Sequence, residues 1–448
     1  MYLSRELVEF TFASLILFFT TLHFLRLLKN RTTISFIDIS ILITGITFGL
    51  APFISVFYGS SFPDEKPLNV AYSYIGIMLF LSGLVIIKKI FTNKIKNNFT
   101  LNSLLLSVNK INSKQVFIFY SAYFIILLIF ATEYGIFGSG SATSERMTAL
   151  PYFLFVTRSL LDLTLFGVLI WCITKILINK KIIVFPAIII IIETLLMFFR
   201  GRRQMLFILF LFLYLYIILG YRISFKIFIP SLVILILMVN IIFPIFISLR
   251  EASLRTSQTG DVLNDYQASY YVLSRTGVDK QYYESNVAQR VYINNWNIDI
   301  LKKSSLSDGL NGKALAMCIF WVIPRPLLPI KGSLKDPELL INVSYGLPLT
   351  DSPSNWPAYG FADFGVIGGL LYGLLLGLLL LSFQYFAKFN LKKFPFFTFI
   401  IIGSVTFTAF FIEEAPVAIF SVLRDTILLY FIFNLLYLFR SKKLGKKF

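Results

Sequence analysis

The chain has 448 residues, of which 57% are apolar, 17% aromatic and 14% charged, with 49 phenylalanines. A soluble domain is about 45–50% apolar and about 25% charged, so these figures exclude a large water-soluble enzyme, and the same apolar excess excludes a disordered chain. The formal net charge of +18 does not indicate nucleic acid, because no basic base-reading helix, zinc spacing or RNP-like aromatic pair accompanies it.

Taken in order, apolar blocks of about 18–25 residues recur along the chain, the length that crosses roughly 30 Å of hydrocarbon as a helix. The first, 7–28, lacks a basic leader and a small-residue cleavage site, so it reads as a span and not as a cleaved signal peptide. The next seven are 36–58, 69–87, 115–134, 152–177, 182–199, 205–220 and 227–248. After a long interval come 364–386, 395–412 and 416–439. Backbone groups in lipid must be satisfied within the segment, which makes each block a helix. Lys and Arg collect in alternate connections: Lys29 and Arg31, Lys88 to Lys96, Lys180 and Lys181, Arg222 and Lys226, Lys388 to Lys393, and Arg440 onward. Such connections face the cytoplasm, which puts the C-terminus inside and, with eleven spans, the N-terminus outside. The expected fold is an all-α polytopic integral membrane protein with about eleven transmembrane helices and one large, mainly helical extracytoplasmic loop. Its expected domains are 1–249 (spans one to eight), 250–363 (the loop) and 364–448 (spans nine to eleven with a basic tail).

One connection opposes this charge pattern. Arg200-Gly201-Arg202-Arg203 is a tight turn that span parity places outside. Either these arginines bind an anion at the outer surface, or the turn is cytoplasmic and the span count is off by one. Charged residues within spans cost about 2.5–3.5 kcal/mol each on insertion scales and mark pairing or function. Glu133, Arg158, Asp162, Glu193, Glu413, Glu414, Arg424 and Asp425 all fall in the outer half, which suggests a polar cavity opening outward. Arg158 and Asp162, four apart, can neutralise each other on one helix face, and Arg424 can pair with Glu413 or Glu414. Asp38 and His23 sit near cytoplasmic ends.

The loop holds 11 basic and 10 acidic residues between Arg250 and Ala362. Within it 265–274 and 281–294 look like short helices, and 312–322 is an apolar segment too short to span. Trp296, Trp356 and Tyr359 are candidates for packing on sugar rings, against the alternative of a headgroup-level aromatic belt. Arg200, Arg202, Arg203, Arg250, Arg275 and Arg325 are candidates for gripping phosphate, which guanidinium does bidentately. Asp336 and Glu338 form the nearest approach to a metal-binding carboxylate pair, and a weak one. With one histidine and with Cys172 and Cys318 far apart, neither a metal site nor a disulfide framework is expected. Asp363-Phe364-Gly365 matches the kinase tripeptide by accident, since no other kinase element is present.

The Arg-Gly-Arg-Arg turn, the late loop, Ile323-Pro324-Arg325-Pro326 with Pro329 and Lys331, and the run Tyr359-Gly360-Phe361-Ala362-Asp363-Phe364-Gly365 leading into the ninth span resemble the bacterial oligosaccharide repeat unit polymerases, the Wzy or O-antigen polymerase family. The resemblance implies a glycosyltransferase of the bacterial inner membrane with a periplasmic loop. It would transfer a growing glycan from undecaprenyl diphosphate to the non-reducing end of a new lipid-linked unit, without metal or cofactor. Implied partners are the lipid-linked oligosaccharide, membrane lipid and a chain-length regulator, with no nucleic acid. The diphosphate leaving group needs charge neutralisation, which arginines supply. The acceptor hydroxyl needs a carboxylate base, with Asp351, Asp363, Glu338 and Glu193 as candidates. Two departures stand out: there is no paired arginine–glycine motif, and His23 is not a loop histidine of the kind O-antigen ligases use. A flippase or transporter of lipid-linked oligosaccharide is the alternative from another class, although no internal repeat supports it; a ligase-type transferase is the third reading.

Overall fold

A computed structural model describes residues 4–29, 34–57, 65–95, 101–134, 152–180, 183–200, 202–221, 293–304, 309–324, 327–348, 354–410 and 416–445, with single positions between 229 and 271. Among the described residues there are helices and no strands. In chain order they are α1 (Arg5–Lys29), α2 (Phe36–Phe57), α3 (Pro67–Ile95), α4 (Leu101–Leu105) with a 3-10 turn (Leu106–Lys110), α5 (Ser113–Tyr134), α6 (Tyr152–Asn179), α7 (Val184–Arg200) and α8 (Arg202–Ile218). After the long interval follow α9 (Asn294–Ser304), α10 (Lys313–Val322), a 3-10 turn (Pro329–Ser333), α11 (Pro337–Tyr345), α12 (Trp356–Asn390), α13 (Pro395–Phe410) and α14 (Pro416–Gly445). Seven of these, α1, α2, α3, α5, α6, α12 and α14, are long and apolar enough to cross a membrane, and α7, α10 and α13 are shorter apolar helices. Of the block 227–248 only Ile229, Pro230, Val233, Ile234 and Leu237 are described, each helical.

The chain forms two compact units. The first takes in residues 1–101, 287–397 and 404–448, and the second 102–286 with 398–403. The first is organised on α3 and α12, which share its most extensive helix–helix interface. Small residues make that closeness possible: a Cβ on Gly83 would sit 2.7 Å from the Leu370 carbonyl oxygen, and one on Gly369 or Gly373 would collide with the backbone of Gly76 or Phe80. In lipid, where apolar side chains gain nothing by leaving their solvent, such backbone approach is a main source of helix association. Gly76 meets Gly369, Phe80 meets Gly373 and Ile87 meets Gly377, so the two helices run parallel. Two parallel spans require the chain between them to cross an odd number of times.

α1, α2 and α3 are tied together at their lysine-rich end. Asp38 supplies the return half of a capping box at the start of α2: its carboxylate accepts from the Ser35 backbone N–H and hydroxyl, each at 2.8 Å. The same carboxylate accepts from His23 Nε2 of α1 at 2.7 Å and from Lys88 Nζ of α3. Asp38 is almost fully buried.

The second unit packs α5, α7 and α8 around α6, with Gly167 against the Ile400 backbone and Gly403 against that of Phe166. Arg158 and Asp162 pair along α6 at 3.2 Å as their spacing predicts, with Arg158 also over the Phe130 ring. α7 ends at Arg200 and α8 begins at Arg202, so only Gly201 separates them.

Candidate functional site

At the end of the first unit away from the lysines, polar side chains from five segments are buried together. The spacing of Arg5 and Glu9 puts both on one face of α1, where they pair at 3.4 Å. Arg5 Nη2 also donates to Asn295 Oδ1 of α9 at 3.1 Å, and the Tyr74 hydroxyl of α3 donates to Glu9 at 3.4 Å. From there a chain of carboxamides crosses the unit. The Ser73 hydroxyl and Asn297 Nδ2 donate to Asn294 Oδ1, and Asn355 Nδ2 donates to Asn297 Oδ1 at 3.0 Å. Asn355 in turn caps α12 by accepting from the Ala358 N–H at 3.0 Å. Trp296 Nε1 donates to Asn342 Oδ1 of α11 at 3.0 Å. Asn294, Asn297, Asn342 and Asn355 are all buried, and Asn294 Nδ2 has no acceptor among the described residues. Buried polar groups are nearly always satisfied, so this donor marks where a polar guest or water would bind.

Outside the apolar helices, Glu65 and Lys302 pair at 2.6 Å beside this network. Burial opposes ionisation of Glu65, but hydrogen bonds from Lys302 and Asn69 and the Lys302 charge outweigh it and hold the carboxyl below its ordinary value. Burial, and then the Glu65 charge, raise Asp299 above the usual carboxylate range.

The sequence-read ninth span, 364–386, is the long arm of α12. The helix starts earlier, at Trp356, and breaks at Phe364 (φ −137°, ψ 19°) and Gly365 (φ 59°, ψ −148°). The second value lies in the left-handed region, where glycine is favoured. The short arm folds back on the long one: a Cβ on Gly360 would lie 2.5 Å from the Gly368 carbonyl oxygen, and Trp356 packs edge-on to Tyr372 at 6.1 Å. The elbow so formed is fastened to the start of α10. Asp363 accepts from the backbone N–H groups of Ala314 (2.9 Å) and Leu315 (3.1 Å) and from the Tyr372 hydroxyl. It therefore caps α10 from a distant part of the chain, with both oxygens engaged and no exposure.

The sequence candidates fall in different places. Trp296, Trp356 and Tyr359 are buried at 6%, 5% and 1% exposure, so they wall the first unit instead of presenting open ring faces. Trp356 also lines a small cleft with Ser40, Leu376, Thr408 and Ile419. Asp336, half of the weak carboxylate pair, is the N-cap of α11, accepting from the Glu338 N–H at 2.9 Å. Among the described residues no group of three or more His, Cys, Asp or Glu is placed to hold a metal ion. Arg424 pairs with its neighbour Asp425 at 2.6 Å; Glu413 and Glu414 lie outside the described residues. Glu193, in the second unit, is fully buried and accepts from the Tyr120 hydroxyl at 3.0 Å. Asp351, Arg250, Arg275 and Arg325 lie outside the described residues, as do the side chains of Arg200, Arg202 and Arg203.

Arg5, Glu9, Asn294, Asn297, Asn342 and Asn355 escaped the sequence reading. The i, i+4 spacing of Arg5 and Glu9 was a usable signal, whereas the asparagines carry neither charge nor period. No protein-family model, curated protein or solved structure matches the chain.

Proposed function

We propose that this chain is a membrane-embedded glycosyltransferase that polymerises lipid-linked oligosaccharide repeat units. Chiefly, the reading is supported by the buried, arginine-bearing carboxamide network at the end opposite the lysines. Carboxamides and a tryptophan N–H are the groups that exchange hydrogen bonds with sugar hydroxyls, and a guanidinium is the group that grips a diphosphate. In the proposed step the acceptor hydroxyl oxygen bonds to the anomeric carbon of the donor glycan. The bond from that carbon to the diphosphate oxygen breaks, polyprenyl diphosphate leaves with the electron pair, and the hydroxyl proton passes to a carboxylate. Arg5 is the proposed diphosphate contact within the network. Arg200, Arg202, Arg203, Arg250, Arg275 and Arg325 are carried forward from the sequence resemblance alone. Asp363 is committed to capping α10, so Asp351 and Glu338 are the preferred bases, with Glu193 as the second unit's candidate. The proposed setting is the bacterial inner membrane, with the network on the periplasmic side and the lysine-rich end in the cytoplasm.

A second reading, a transporter of the same lipid-linked sugar, is favoured by one observation: α12 is interrupted, and discontinuous helices form the binding sites of many transporters. Purified protein in lipid nanodiscs, given undecaprenyl-diphosphate-linked repeat units, separates the two. Longer glycans on the lipid support the polymerase. Unaltered units, together with movement of the same lipid across proteoliposomes, favour the transporter.

A further inference from the structure

We propose that residues 309–324 and 327–348 are the two legs of a re-entrant hairpin that dips into the bilayer beside α14, seating an apolar face in the lipid hydrocarbon. Both feet of the hairpin stand on the α12 elbow. The Leu310 and Asn311 N–H groups donate to the Ala362 and Asp363 carbonyls at 2.9 and 3.0 Å, and the Tyr345 hydroxyl donates to the Ala362 carbonyl. From that level α10 descends along α14 in the same direction. Cys318 lies against the Val417 backbone, and the Val322 carbonyl accepts from Arg424 Nη1 at 3.2 Å.

Depth follows from helix rise. Arg424 is eight residues beyond Pro416, or about 12 Å at 1.5 Å per residue. Asn434, which accepts from Lys393 at the lysine-rich end, is ten residues further, about 15 Å on the same rise. The end of α10 therefore sits near the middle of Pro416–Tyr437, a 22-residue stretch long enough to cross a membrane.

Non-helical backbone survives at such depth only when its polar groups are satisfied within the protein. Here they are. Lys331 Nζ donates to the Trp321 carbonyl and, at 3.1 Å, to that of Ile323, while Arg424 takes the Val322 carbonyl between them. With Asp363 at the other end, α10 carries an anion at its N-terminus and cations at its C-terminus, the arrangement its dipole favours.

The outer face is apolar. Ile319, Phe320, Leu327 and Ile330 are 43%, 44%, 75% and 61% exposed. The large apolar residues that α14 exposes begin at Ile427, just past the part that α10 covers. The hairpin thus continues the hydrocarbon-facing surface that α14 presents below it, which is the argument for lipid as the occupant. On the return leg Asp336 is exposed but turned back onto the N-terminus of α11, where it accepts from the Glu338 N–H, and Glu338 is half-buried. Lys335 is exposed, and its stem is long enough to carry the ammonium toward water.

Nitroxide labels on Phe320→Cys, Leu327→Cys and Ile330→Cys in nanodiscs test the proposal, since both membrane faces are then open to reagents. Lys313→Cys at the foot and Phe431→Cys on α14 serve as water and lipid references, and unsubstituted protein, whose two cysteines are buried, gives the background. The expected result is collision with oxygen severalfold more frequent than with a water-soluble nickel chelate, in the range of position 431. Chelate access at 320 and 327 matching position 313 overturns the proposal. A second measurement needs no substitution: lipids with a photoreactive acyl chain should mark peptides covering 319–330 of the wild-type protein, and marks confined to the long helices would overturn it equally.

Discussion

The two ends of the first unit hold α1 and α3 by different chemistry. At the lysine-rich end a single carboxylate, Asp38, gathers His23, Lys88 and Ser35, so three helices depend on one anion. At the other end the load is spread over Ser73, Asn294, Asn297, Asn355, Asn342 and the Arg5–Glu9 pair. An ionic knot has one arrangement and loses much if any member leaves. A carboxamide chain has donors and acceptors in every link, so each link can be exchanged for a hydroxyl with little net change. The first arrangement suits an anchor and the second a surface that must release and retake polar partners.

Four substitutions test that contrast. The largest loss of stability is expected for Asp38→Ala, because removing one partner of a buried ionic group costs about 3–5 kcal/mol. Thermal unfolding in detergent should show it, with the proposed transfer activity, measured per folded molecule, kept; a variant as stable as wild type would break the idea of a knot. Next comes Arg5→Lys, which retains charge but loses the fork that reaches Glu9 and Asn295. On the proposed function, losing a charge-assisted contact of about 1.5–3 kcal/mol lowers the polymerisation rate roughly ten- to hundredfold. An unchanged rate in folded protein would make this end as purely structural as the other.

A smaller effect, about 1–3 kcal/mol, is expected for Asn342→Leu, which strands the buried Trp296 N–H; the measurement is the shift in unfolding midpoint. The smallest belongs to Lys302→Met and depends on pH. Because the Glu65 carboxyl is held below its ordinary 4.5, its contribution is present above that value and fades as pH falls through the lower folded value. Lys302 is raised above its ordinary 10.5 by Glu65, so its contribution is present below 10.5 and fades at higher pH. Unfolding midpoints of the variant and wild type should differ near neutrality and converge in acid. A difference that persists in acid would mean the pair is not its source.

Much of the helical framework was legible because lipid imposes it. An apolar block of the right length has few alternatives, so 36–58 and 416–439 meet α2 and α14 within a few residues at their starts. Local pairing was legible for a similar reason: Arg158 and Asp162 are neighbours on any helix. What could not be read was whatever joins distant parts of the chain. Asp363 caps a helix 49 positions away, and nothing in Asp-Phe-Gly announces that. His23 and Asp38 were recognisable as polar helix ends, but their convergence with Lys88 depends on how three helices pack. Trp296 could be read as a ring packing on sugar or as part of a headgroup-level belt; the partner that lets it be buried instead, Asn342, lies 46 positions later.

The glycine seam between α3 and α12 also sets a timetable. Gly76 and Gly369 are separated by roughly 300 residues, and synthesis at about 5–20 residues per second puts roughly 15–60 s between their appearances. For that interval α3 is in the membrane with its narrow face uncovered. Nascent chains halted before α12 should therefore leave the early helices open to premature partners and quality-control proteases, and the arrival of the ninth block is the event that closes the unit.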